Sequence, residues 1–152
     1  MAAYLWIAVG SALGGVARYW CSGVAARLIG ETFPWGTIIV NIVGSFIIGF
    51  FATLTGPDGR VFADTLTRQF VMIGILGGYT TFSSFSLQTL SLVQDGEWWL
   101  AGANIALSVV ACLVAVWRSC IHLIAQLKQT LRNAPGNIAV SIGSQKLSGA
   151  GL

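Results

Sequence analysis

Charged and polar positions divide the chain into four long apolar runs. The first covers residues 4–29 and is interrupted by Arg18; Glu31, Phe33 and Pro34 then mark a short turn. Residues 36–55 follow with no charge at all, and Gly56-Pro57 opens a polar loop carrying Asp58, Arg60, Asp64 and Arg68. The third run, residues 69–94, is again uncharged; Asp95-Gly96-Glu97 is a tight polar turn, and residues 98–117 form the fourth run. A helix needs about 20 apolar residues to cross the hydrocarbon core of a bilayer. The pattern therefore predicts an all-α membrane protein with four transmembrane helices and both termini on one side.

Past Trp117 the pattern changes. Cys120, Ile124, Leu127 and Leu131 recur at helical spacing beside Arg118, His122, Lys128 and Arg132. This reads as a short basic amphipathic continuation, suited either to an anionic membrane surface or to a solvated helix extension. From Asn133 onward the Gly/Ser/Asn-rich tail has no period and is expected to be flexible. The organisation is a four-helix domain over residues 1–125, then residues 126–152 as basic extension and C-terminal tail.

Composition agrees with a membrane protein and narrows it. A soluble domain carries roughly 25% charged residues, whereas only 9% of these 152 are charged, 55% are hydrophobic and mean hydropathy is +0.79. That excludes a soluble domain and disorder, and the lack of a basic cluster excludes nucleic-acid binding. Arg60, Arg68, Arg118, Lys128 and Arg132 lie on the terminus side against Arg27 on the other, so both termini are expected in the cytoplasm. Trp6, Trp35, Trp98, Trp99 and Trp117 fall near the predicted helix ends, as an interfacial aromatic belt would. No charged n-region precedes the first run, so a secretory signal is not expected there. Cys21, Cys112 and Cys120 lack metal-ligand spacing, the two within spans reading as inert buried thiols, and His122 stands alone. Nothing has the parts of an enzyme site.

The chemistry concentrates in the third run, at Gly77-Gly78-Tyr79-Thr80-Thr81-Phe82-Ser83-Ser84-Phe85-Ser86. Paired glycines followed by paired threonines make a poor helix interior. At mid-membrane a broken helix is tolerated where its freed backbone groups are buried or line a polar cavity. The same small residues could instead form a packing face between helices. Phe82 and Phe85 share a face, and their positive ring edges could touch an anion. Asn41, beside Thr37 in the second span, either glues helices together or faces a pore. Gly44, Ser45 and Gly49 permit close packing there, and Asn104 and Ser108 offer donors on one face of the fourth helix. Arg18 is the one charge well inside a span, and no Asp or Glu lies inside any. Such a donor set suits an anion, with snorkelling of Arg18 to the interface as the alternative.

These residues carry a resemblance. The chain resembles the Fluc/CrcB family of fluoride channels over roughly residues 3–125, through Gly14-Gly15-Val-Ala-Arg18, Pro34-Trp-Gly36-Thr37-Ile-Ile-Val-Asn41-Ile-Val-Gly44 and the 77–86 segment. The resemblance implies an antiparallel, dual-topology dimer in the cell membrane, with two fluoride pores along its interface and passive export of fluoride that lowers its cytoplasmic toxicity. It implies that the carbonyls of Gly77 and Thr80 from both protomers hold a central structural sodium ion. It assigns Phe82 and Phe85 as the pore phenylalanines, Asn41 as the pore asparagine, Ser108 as a pore-lining hydroxyl and Arg18 as the vestibule arginine. Thr81 and Ser84 fall in the polar track.

Two departures stand out. Gln88 occupies a position where many members carry glutamate, keeping hydrogen bonding but losing charge. The basic bias of the terminus side also exceeds what dual insertion favours, so the partner is either a second copy of this chain or an oppositely oriented paralogue. Two other readings compete: a small dual-topology exporter of organic cations, which would want a membrane carboxylate where Arg18 stands, and a non-transporting membrane assembly protein.

Overall fold

The computed structural model describes residues 1–56 and 61–133. Asp58 and Arg60 of the polar loop, and the tail from residue 134, lie outside the described residues. The first helix, α1 (Ala2–Ile29), ends at Gly30, whose φ of 101° reverses the chain into the turn before α2 (Trp35–Leu54). The third run begins earlier than its apolar stretch. Asp64 caps it, its Oδ1 accepting the Thr67 N–H at 3.1 Å. Hydrogen bonds from the Thr67 side chain and backbone hold the Asp64 carboxyl below its ordinary range.

We designate residues 65–79 as α3. Only its first turn, Thr65–Arg68, and its last, Gly77–Tyr79, are α-helical; Gln69–Leu76 between them follows a π-helical path. After a break at Thr80-Thr81 the run resumes as α4 (Phe82–Gln94). The following turn depends on Gly96 at φ 79°, with the Glu97 N–H reaching back to the Leu92 carbonyl at 2.8 Å. Trp98–Asn133 then forms one unbroken helix, α5.

The described residues contain helices and no strands. Three segments are long and apolar enough to cross a membrane: Trp35–Leu54 and Trp98–Thr130, each with mean hydropathy 2.1, and Thr65–Gln94 with 1.4. The 28 residues of α1 give it the length, about 42 Å at 1.5 Å per residue. Arg18 and a run of small residues dilute its apolarity. The expected basic continuation after Trp117 is helical in direct register with the span, because Arg, Gln, Lys and Leu are good helix formers. The proposed domain limit at residue 125 falls within this continuous helix.

Helices in lipid gain little by meeting other apolar surfaces, so they associate where small residues let backbones approach. That is how these pack. Gly10 of α1 packs against Gly74 of α3, Gly14 against the backbone of Ile75 and Tyr79, and Gly78 against the backbone of Ser11. A Cβ added at Gly78 would lie 2.5 Å from the Ser11 carbonyl oxygen, and one at Gly74 would lie 3.1 Å from Gly10 Cα. Between α2 and α5, Gly49 sits against Ser119, whose hydroxyl donates back to the Val116 carbonyl at 2.8 Å. Arg68 reaches from α3 to donate to the Thr55 carbonyl at the end of α2. Ile38, Val40, Asn104 and Ser119 are the most deeply buried side chains, while large residues such as Leu13, Phe46 and Leu113 face outward.

Candidate functional site

The break between α3 and α4 is built by side chains replacing backbone partners. Thr80 (φ −77°, ψ 155°) and Thr81 (φ −150°, ψ 114°) are extended, which carries the chain out of its helical path. The Thr81 N–H donates to Asn41 Oδ1 at 2.8 Å, and Asn41 Nδ2 donates to the Thr81 carbonyl at 3.1 Å. The Asn41 amide thus behaves as a peptide group would, giving one bond and taking one. Thr81 Oγ1 accepts the Ser84 N–H at 3.2 Å, donates to Ser84 Oγ at 3.1 Å and lies 3.2 Å from Ser83 Oγ, capping the start of α4.

This arrangement has a direct effect on two carbonyls. In an uninterrupted α-helix the N–H groups of Thr81 and Ser84 would serve the carbonyls of Gly77 and Thr80. Both donors are diverted to side-chain oxygens, so these carbonyls are released from the helical pattern. Thr80 is itself held in place: its N–H and its Oγ1 both donate to the Leu76 carbonyl at 3.0 Å, and its methyl packs over Gly44. Released carbonyls near the middle of a span suit a hard cation.

Beside the break lies a cavity of about 430 Å³ walled by α2, α4 and α5. It brings Asn41, Thr81, Phe82, Phe85 and Ser108 together, and none of the described residues lining it is charged. The Phe82 and Phe85 rings lie 5.2 Å apart at 47°. They differ in setting, since Phe85 is 8% exposed and Phe82 76%. A polar chain rises from this point: Ser108 Oγ donates to Asn104 Oδ1 at 3.4 Å, and Asn104 Nδ2 donates to Thr89 Oγ1 at 2.8 Å. Thr89 Oγ1 in turn donates to the Phe85 carbonyl at 2.8 Å.

The remaining candidates fall around this group. Ser84 joins it through Thr81, and Thr37 is buried one turn before Asn41. Arg18 stands apart, half-buried on α1 beside Gly15. Gln88 Oε1 is buried without a hydrogen-bond partner among the described residues. Cys112, expected to be an inert buried thiol, is half-buried on the cavity wall one turn past Ser108. Thr89 was not anticipated; its i+4 spacing from Phe85 was the available signal.

Residues 5–120 match the family described as "CrcB-like protein, Camphor Resistance (CrcB)". A protein of Opitutus terrae, named fluoride-specific ion channel FluC, is 63% identical over 117 residues, covering 77% of this chain and 89% of its own. Proteins of the same name from Rhodospirillum rubrum and Methylocella silvestris are 62% identical over 114 residues and 56% over 131. They cover 75% and 86% of this chain and 88% and 98% of their own lengths.

Proposed function

Because the chain belongs to the CrcB-like family, multi-pass ion channels of the cell membrane rather than enzymes, we propose that it conducts fluoride passively out of the cell. The observation that carries this reading is the cavity at the break, where two aromatic rings, an amide and hydroxyls converge with no charged group among the described residues. Fluoride is small and strongly hydrated, so a pore must replace its water with several donors yet hold it weakly enough to let it leave. Ring edges of Phe82 and Phe85, the second N–H of Asn41 Nδ2 and the hydroxyl of Ser84 supply moderate fields, and Thr81 and Ser108 join them by turning their protons from Ser84 and Asn104 toward the ion.

The same reading counts α1 as a fourth span and makes the functional unit an antiparallel dimer. Phe82 lines the cavity yet is largely exposed, so an opposed protomer would supply the missing wall. The Gly77 and Thr80 carbonyls of both protomers would hold sodium. Bound there, the ion would supply charge that fixes the two breaks against each other, and the cavity residues would do the conducting. The basic end of α5 favours insertion with the termini in the cytoplasm, which leaves an oppositely oriented paralogue as one form of the partner.

Purified protein in liposomes loaded with potassium fluoride is expected to release fluoride, read by an electrode, with chloride passing far more slowly. No fluoride efflux, or equal chloride efflux, would overturn the reading. Arg18, outside the cavity group, is expected to act by attracting anions to the entrance. Arg18→Gln should then lower flux at limiting fluoride and leave flux at saturating fluoride close to that of the parent; equal flux at both concentrations assigns the side chain to snorkelling.

A further inference from the structure

Eight consecutive residues on a π-helical path are unusual, because π turns occur mostly singly inside α-helices and often beside functional sites. Here the segment Gln69–Leu76 ends directly before Gly77, whose N–H reaches the Met72 carbonyl five residues back as well as that of Gly74. A return from i→i+5 to i→i+4 bonding would shift the register by one residue. Everything after Leu76 would then turn by about 100° around the helix axis. The π path therefore sets the direction in which Gly77 and Thr80 present their carbonyls.

What holds the path is α1. The space a side chain would need at Gly10 is taken by the Phe70 carbonyl oxygen at 2.8 Å, Gly74 Cα at 2.9 Å and the Ile75 nitrogen at 3.0 Å. At Gly14 it is taken by the Ile75 carbonyl oxygen and, at 2.8 Å, by the Tyr79 nitrogen. These neighbours are backbone atoms of the π segment and of the last turn before the break, so they cannot step aside as a flexible side chain would. Asn41 and Gly44 hold the break from α2, and the two α1 glycines hold the segment that leads into it. We propose that Gly10 and Gly14 are positioning residues: by seating the π-helical segment they fix the rotation at which the Gly77 and Thr80 carbonyls meet a cation. The role rests on the sodium reading given above.

The test compares Gly14→Ala with Gly23→Ala. Both lie on α1, but a methyl at Gly23 meets nothing within 4 Å. In the full-length protein reconstituted in vesicles, Gly14→Ala should raise the sodium concentration giving half-maximal fluoride efflux at least about fivefold, with flux recovering at saturating sodium. Gly23→Ala should superimpose on the parent. Amide exchange followed by mass spectrometry should quicken in the peptide covering residues 77–86 for Gly14→Ala alone, since the Thr81 N–H loses its fixed partner. A folded Gly14→Ala protein with unchanged sodium dependence and unchanged exchange would overturn the proposal. Should Gly14→Ala not accumulate, Gly10→Ala is read in the same way. If the parent shows no response to sodium, the sodium reading fails and exchange alone decides: acceleration upholds the seating role, and its absence ends it.

Discussion

Replacing Phe82 with isoleucine should reduce fluoride flux by about a hundredfold, roughly 2.8 kcal/mol at 1.4 kcal/mol per decade, and leave the protein folded. Isoleucine keeps the apolar character of the site and removes the ring, whose positive edge is the feature an anion can use. The fold should survive because Phe82 is 76% exposed in the protomer and carries little of its packing. Phe85 does not offer so clean an experiment. At 8% exposure it is part of the core, and trimming it would mix loss of conduction with loss of stability. The measurement is efflux from liposomes paired with the elution volume of the purified variant. Undiminished flux through a normally eluting Phe82→Ile protein would remove the ring from the pore.

The second large effect is expected at Asn41. Leucine there is close in size but can neither accept the Thr81 N–H nor donate to the Thr81 carbonyl. Both bonds are part-buried at the break, so the groups left without a partner carry a desolvation cost. Asn41→Leu should therefore lower stability by about 2–4 kcal/mol and abolish flux. Melting of the purified variant in detergent measures the first, and an unchanged melting temperature would show that the amide does not hold the break. Asn41→Asp separates the two duties. Its carboxylate can still accept the Thr81 N–H, which retains part of the stability, but it places a negative charge on the cavity wall and should stop anions.

Much of this was legible because charge is expensive inside a bilayer. Glu31 marked the end of α1, Gly56-Pro57 the end of α2, and Asp95 and Glu97 the end of α4 and the start of α5, whereas Arg68, expected in the loop, lies inside α3. The break was legible too, since Gly77-Gly78 and Thr80-Thr81 are unfavourable in a helix interior. What could not be read there was how the break is held. Asn41 was open between a structural amide and a pore amide, and residue type alone allows both; the geometry has it bonded at the break and lining the cavity at once.

The π-helical segment left no trace at all in the pattern. Gln69–Leu76 is an ordinary apolar stretch, and its path depends on how closely α1 approaches, which is a property of two segments about 60 residues apart. A clue to that approach did exist in the i, i+4 spacing of Gly10 with Gly14 and of Gly74 with Gly78. Either pair alone is commonplace; their meaning appears only when the two stretches are seen packed together, Gly10 on Gly74 and Gly78 on Ser11. The continuation past Trp117 was legible, because Cys120, Ile124 and Leu127 keep helical spacing there; that it joins the span without a break follows from backbone propensity and packing, which carry on through Arg118 and Leu123.

The unbroken course of α5 also has a practical side. Taking Trp117 as the membrane boundary, residues 118–133 extend the helix by about 24 Å at 1.5 Å per residue. They do so in fixed phase with Ser108 on the cavity wall. A protein of 16.0 kDa buried largely in detergent or lipid offers little for image alignment. This stem provides a graft point: a helical fusion partner joined in register would inherit the orientation of the span and serve as a rigid fiducial for electron microscopy. Because it leaves the bilayer on one face only, the same label, counted on each side of single reconstituted particles, would report directly whether the proposed dimer forms and whether it is antiparallel.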